Sequence, residues 1–204
     1  MSSYCPDIIT ATTQAKETLA RIETLTHTLM QSGDISLLEE IETLKKELET
    51  EITHTKELLS HAISQTLKEQ GNDTIPPISF TPHGFVIEGD IQFTTPSAKD
   101  IPVLKALSRI NGSLDASYAI SLDLPQLQEV KEYLYAPSAT SLDFPQLQEV
   151  KGDLDVSSAT SLDLPSIVTI GGNAYYTSKT SSEVITTLKD LKARGIIKGE
   201  IKRE

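Results

Sequence analysis

The chain has 204 residues, 38% of them hydrophobic and 5% aromatic, with no Trp and a formal net charge of -11. Such a chain repels phosphate backbones and anionic lipid surfaces, so neither nucleic acid nor membrane is an expected partner. Its lean apolar content suits an elongated architecture better than a cavity-bearing enzyme. Cys5 is the only cysteine, so no disulfide can form within the chain, and a reducing compartment is expected. The first residues, MSSYCPDIIT, lack a basic region and an apolar core, and no stretch approaches membrane-spanning length. A cytoplasmic location follows as the expectation.

Residues 1–72 read as a helical hairpin of coiled-coil type. Asp7 to Gln31 contain no Gly or Pro, and Ala15, Leu19, Ile22, Leu25 and Leu29 recur at steps of three or four. Gly33 is the natural stop. Ser36 and Glu39 fit a capping box for a second helix, whose stripe runs from Leu37 through Ile41, Leu44, Leu48, Ile52, Leu59 and Ile63 to Leu67. The first helix is rich in Thr, a weak helix former, and needs packing support. The short turn favours an antiparallel pair, and residues 7–70 can also pair with a second copy as a homo-oligomer. His54 and His61 share a helix face, but ordinary solvated histidine explains them better than metal. Residues 73–84 read as a Pro-rich linker.

From residue 85 to 204 a repeat takes over. SLDLPQLQEVKEYLYAPSAT, SLDFPQLQEVKGDLDVSSAT and SLDLPSIVTIGGNAYYTSKT align without a gap from Ser121, Ser141 and Ser161. A fixed period near 20 residues signals stacked coils. A strand-like kernel, aliphatic at its first and fifth positions and usually Gly at its third, starts at Ile87, Ile110, Val130, Val150, Ile170 and Ile197. Six parallel rungs are therefore expected, with a helix before the last, capped by Thr180-x-x-Glu183 and facing inward through Val184, Ile185, Leu188 and Leu191. Strand alternation places Val150, Gly152, Leu154 and Val156 inside and Lys151, Asp153 and Asp155 outside. Leu114, Leu134, Leu154 and Ala174 then form one inward ladder, and Leu122, Leu142 and Leu162 another. Asp123, Asp143 and Asp163 precede a Leu/Phe-Pro step, where Asp can cap a turn. The Ser138/Thr140, Ser158/Thr160 and Ser178/Thr180 row reads as a polar corner bonded to turn backbone. The whole is an α+β chain whose solenoid ends need caps, for which the hairpin and the C-terminal helix are available.

The pattern Leu147-x-x-Val150-x-Gly152-x-Leu154-x-Val156 resembles leucine-rich-repeat solenoids, most closely the receptor L-domain type. The resemblance covers residues 85–204 and none of the hairpin. It lacks the Asn ladder at the turn after the strand, where Ser-Ser-Ala-Thr stands, and Glu132 replaces Gly in one rung. It implies a protein that binds other proteins.

On the outward sheet face, Tyr133, Tyr135, Asp153, Asp155 and Tyr175 form the candidate protein-binding patch, because Tyr offers contact area and a hydroxyl at low entropic cost. No catalytic, metal or cofactor motif is found. Cys5 and His83 are the scattered residues on which an enzyme would have to be built. The expected function is a non-catalytic interaction module for a protein partner, and the alternative is a structural protein assembling through its hairpin.

Overall fold

The computed structural model describes residues 5–81, 84–94 and 102–204. His83 lies outside them. The chain divides into two compact units, Met1–Ile63 and Ser64–Glu204.

In the first unit, α1 (Cys5–Ser32) packs against α2 (Leu37–Glu69), whose last turns belong to the second unit. Ile22, Ile41 and Leu44 form the buried core, with Leu25, Leu29 and Leu48 packed around it. Gly33 ends α1 with φ of +67° and donates its N–H to the Leu29 carbonyl at 2.9 Å. A residue with a Cβ is strained in that conformation. The turn into α2 is held by Asp34 rather than by a Ser36–Glu39 box. The Asp34 carboxylate accepts from both the N–H and the hydroxyl of Ser36, and these bonds hold its pKa below the ordinary value. Thr24, Thr26 and Thr28 donate their hydroxyls to carbonyls four residues earlier, which satisfies these polar groups within the helix itself.

The second unit is a parallel β-solenoid. One sheet carries β1 (Ile78–Thr81), β2 (Gly84–Ile87), β4 (Leu107–Ile110), β7 (Glu129–Val130), β10 (Glu149–Val150) and β13 (Thr169–Ile170). A second carries β3 (Ile91–Gln92), β5 (Leu114–Asp115), β8 (Leu134–Tyr135), β11 (Leu154–Asp155), β14 (Ala174–Tyr176) and β15 (Ile201–Arg203). A third holds β6 (Ser121–Asp123), β9 (Ser141–Asp143) and β12 (Ser161–Asp163). All pairings are parallel except β1 with β2, so part of the expected linker is an antiparallel edge strand. The second sheet has the six expected rungs, with Ile91, Leu114, Leu134, Leu154, Ala174 and Ile201 in register.

The kernel is not one straight strand. Val150 ends β10, the chain bends at Lys151 and Gly152, and Leu154 opens β11 on a different sheet. The bend brings successive coils together: Gly172 donates its N–H to the Gly152 carbonyl at 2.9 Å, and Gly199 donates to that of Gly172 at 2.9 Å. A Cβ at Gly199 would lie 2.5 Å from the Gly172 carbonyl oxygen, inside any permitted contact. The corner therefore selects Gly for close approach. Most inward positions are as the alternation predicts: Leu114, Leu134, Leu154, Val150, Val156 and Ala136 are fully buried, whereas Gly152 and Leu162 are half-buried.

Both ends of the stack are tied down within this unit. At the first rung, the Asn72 amide donates to the Leu67 and Gln92 carbonyls, both at 2.8 Å, and its oxygen accepts from Gln92 N–H. Leu67, in the last turns of α2, is fully buried. Near the last rung, α3 (Ser182–Ala193) buries Val184, Leu188 and Leu191 and packs on β12 and β15. Its cap is Ser181, whose hydroxyl accepts from Val184 N–H at 3.2 Å. Thr180 is instead buried and donates its hydroxyl to the Ser157 carbonyl at 2.7 Å. The shift by one residue occurs because that buried bond claims Thr180 for the coil beneath it.

Two outward rows of the solenoid are structural. Thr140 and Thr160 donate their hydroxyls to the carbonyls of Ile120 and Thr140 on the preceding rung. In the Asp row, backbone bonds such as Leu147 N–H to the Phe144 carbonyl close the turn, and side-chain capping is not what holds it. Asp143 lies in register between Asp123 and Asp163, and partial burial plus those two charges push its carboxyl above the ordinary value.

Candidate functional site

The outward face of the second sheet presents one ladder of side chains. Because the rungs are parallel and in register, Gln92, Asp115, Tyr135, Asp155, Tyr175 and Lys202 stand in a single row. Rungs are spaced about 4.8 Å apart, so neighbours in the row touch. Beside the row lies Tyr133, at the corner where the chain enters the sheet. Asp115, Tyr133, Tyr135, Asp155 and Tyr175 line a shallow, open depression of about 430 Å³.

The five residues predicted for the patch are brought together, but they do not play equal parts. Tyr133 and Tyr135 are the displayed surface, 52% and 45% exposed. Asp153 is half-buried and committed: it accepts from Asn173 N–H at 2.6 Å and from the Tyr175 hydroxyl at 3.3 Å. Tyr175 is half-buried in turn. Asp155 faces outward yet is only 3% exposed, because the rings of Tyr135 and Tyr175 flank it on adjacent rungs. Its carboxylate accepts from Ser157 N–H at 2.9 Å, which fixes it as the floor of the depression rather than its rim.

Asp115, Ser113, Lys202 and Glu204 also belong to the site. Asp115 sits one repeat before Tyr135, so shifting the kernel alignment back a rung finds it. Lys202 and Glu204 lie beyond the inserted helix, where the spacing is no longer 20 residues.

The electrostatics of this face differ from those of its neighbour. On the first sheet, Glu129 is ringed by cations: Arg109 at 2.9 Å, Lys151 at 3.7 Å and Lys131 in direct contact. Burial pushes the Glu129 carboxyl up, but the bond from Lys131 and the charges of Lys131 and Arg109 outweigh it and hold the pKa below the ordinary value. On the second sheet, among the described residues, no Lys or Arg forms an ion pair with Asp115, Asp153, Asp155 or Glu204. The one cation on the ladder, Lys202, places its ammonium 5.7 Å from the centre of the Tyr175 ring. Burial, then the charges of Asp155, Glu204 and Asp115, push the Tyr135 phenol above its ordinary value.

Near the C-terminus, Lys192 and Lys198 donate to the carbonyls of Gly199 and Gly195, and Arg194 pairs with Asp190, so these three cations are locally engaged. His27 lies 2.8 Å from the Gln31 amide. Among the described residues, no three His, Cys, Asp or Glu side chains stand close enough to hold a metal ion, and no helix is long and apolar enough to cross a membrane.

Comparison with protein-family models, with curated proteins and with solved structures returned no match for this chain. The solenoid repeat itself is evident in the coordinates, whereas no relative supports the leucine-rich-repeat family in particular.

Proposed function

We propose that this chain is a non-catalytic interaction module that docks a partner protein on the outward face of its second sheet. The observation that carries the reading is the pairing of two exposed rings, Tyr133 and Tyr135, with a fixed acidic floor at Asp155. Rigid aromatic side chains on a hydrogen-bonded sheet lose little entropy on binding, which is the property of interface anchors. The receptor L-domain resemblance of residues 85–204 points the same way, as an analogy of repeat pattern. A cytoplasmic protein without nucleic-acid or membrane partners fits the same proposal, on charge and cysteine content. The test is photocrosslinking in cells from position 113, where Ser113 lines the same depression, with the captured protein identified by mass spectrometry. A specific partner should be lost in the Tyr133→Ala/Tyr135→Ala double variant while the melting temperature holds. Equal capture by wild type and double variant removes the proposal.

A second reading, assembly through the hairpin, is favoured by one observation. Leu19 and Ile52 stay 45% and 39% exposed and line, with Ala15 and Leu48, an apolar groove within the hairpin. Light scattering should then show concentration-dependent association that Leu19→Glu abolishes. A monomer at all concentrations rejects it.

A further inference from the structure

We propose that the depression around Tyr135 seats the guanidinium of an arginine carried on a basic segment of the partner protein. This rests on the reading of that sheet face as the docking surface.

The ladder supplies its own precedent. Lys202 rests over the Tyr175 ring, so a cation on this row of phenols is an arrangement the fold already uses. Tyr135 repeats the ring on the same row, two rungs earlier, and among the described residues no cation stands over it. Its neighbours on both sides are carboxylates, Asp115 and Asp155, and Glu204 lines the same depression. The Tyr135 phenol is raised first by burial and then by the charges of Asp155, Glu204 and Asp115.

Asp155, 3% exposed and held by Ser157 N–H, contributes its charge from the floor, while the exposed Asp115, fixed by Ser117 N–H at 2.9 Å, offers the accepting edge beside Tyr135. By contrast, Glu129 on the adjacent sheet is already paired with Arg109, Lys131 and Lys151 and offers no free acidic charge to an incoming cation. A planar guanidinium suits the place better than an ammonium, because it can stack on a phenol while donating to a carboxylate at its edge.

The experiment titrates a synthetic arginine-rich peptide into the full chain and follows binding by calorimetry and amide chemical shifts. The citrulline counterpart, equal in shape but uncharged, is the reference. The arginine peptide should bind about tenfold tighter than citrulline, and Tyr135→Ala should weaken it by about fivefold to tenfold. Tyr135→Phe, which keeps the ring, should stay within about twofold, and Lys202→Ala should tighten binding by uncovering Tyr175.

Because the chain is strongly acidic, Asp143→Asn/Asp163→Asn on the third sheet serves as the charge control. Equal binding of the citrulline peptide overturns the inference, as does a charge control that weakens binding as much as Asp115→Asn. If the crosslinked partner depends on Tyr135 but the arginine peptide does not bind, only this inference fails. If neither depends on Tyr135, the docking reading fails with it.

Discussion

The hairpin and the solenoid solve the same problem with opposite means. In the hairpin, polar groups are satisfied locally: Thr hydroxyls return to their own helix, and backbone bonds run along each segment. Its core is thin, and large apolar side chains such as Met30, Ile35 and Leu19 remain exposed. In the solenoid, the parallel sheet bonds join residues about a full coil apart, and the ladder of Leu114, Leu134, Leu154 and Ala174 is fully buried. Local satisfaction leaves the hairpin's surface chemistry undecided by its fold. Register between coils fixes the solenoid's surface rows as firmly as its core.

Several substitutions sharpen or break this contrast. The largest effect is expected from Leu154→Asp, which places an unpaired charge at a fully buried rung. It should cost on the order of 4 kcal/mol or more and abolish cooperative unfolding of the solenoid in urea, followed by circular dichroism. Retention of a normal transition would mean the ladders do not hold the stack. In the hairpin, Ile22→Ala should cost about 2–4 kcal/mol by the same measurement, since Ile22 is one of few buried residues there.

The same Gly→Ala exchange should then separate the two regions. At Gly171 the new Cβ would lie 2.1 Å from the Lys151 carbonyl oxygen, so coil spacing must change, at about 1–3 kcal/mol. At Gly33 nothing lies within 4 Å and only the positive φ opposes the methyl group, at about 1 kcal/mol. Equal losses at both positions, measured by denaturant midpoints, would contradict the close approach of the coils.

The smallest effect concerns Asp143. Its pKa is raised in the folded state, so its contribution to stability is complete at acid pH and falls as pH rises through the folded value. Asp143→Asn should therefore stabilise at neutral pH and lose that advantage below the ordinary carboxylate range. The side chain is solvent-exposed, so screening keeps the gain under about 1 kcal/mol. A variant less stable than wild type at neutral pH would show that Asp143 has a favourable partner.

Much of the solenoid was legible beforehand because a repeat of fixed length converts sequence distance into spatial adjacency. Leu134, Leu154 and Ala174 had to be neighbours once their segments were aligned. Three features were not legible. The bend at Gly152 divides the kernel between two sheets, and a strand-period reading cannot see a corner at which the inward set continues. Asp155 looked like a displayed charge, but the rings that bury it belong to other coils. Ser181 takes the cap from Thr180 because the latter is bound to a carbonyl 23 residues away. In each case the neighbouring coils overrode a local preference.

By itself the sequence determined the helix stripes, the six rungs, the inward ladders and the clustering of Tyr and Asp on one face, since each follows from periodicity. Only the tertiary structure decided which of those Tyr and Asp side chains meet solvent, which are spent on neighbouring rungs, and which acids lack a cation. Those outcomes depend on distances between coils of a few ångströms, and periodicity carries order along the chain but not the depth of a side chain within the stack.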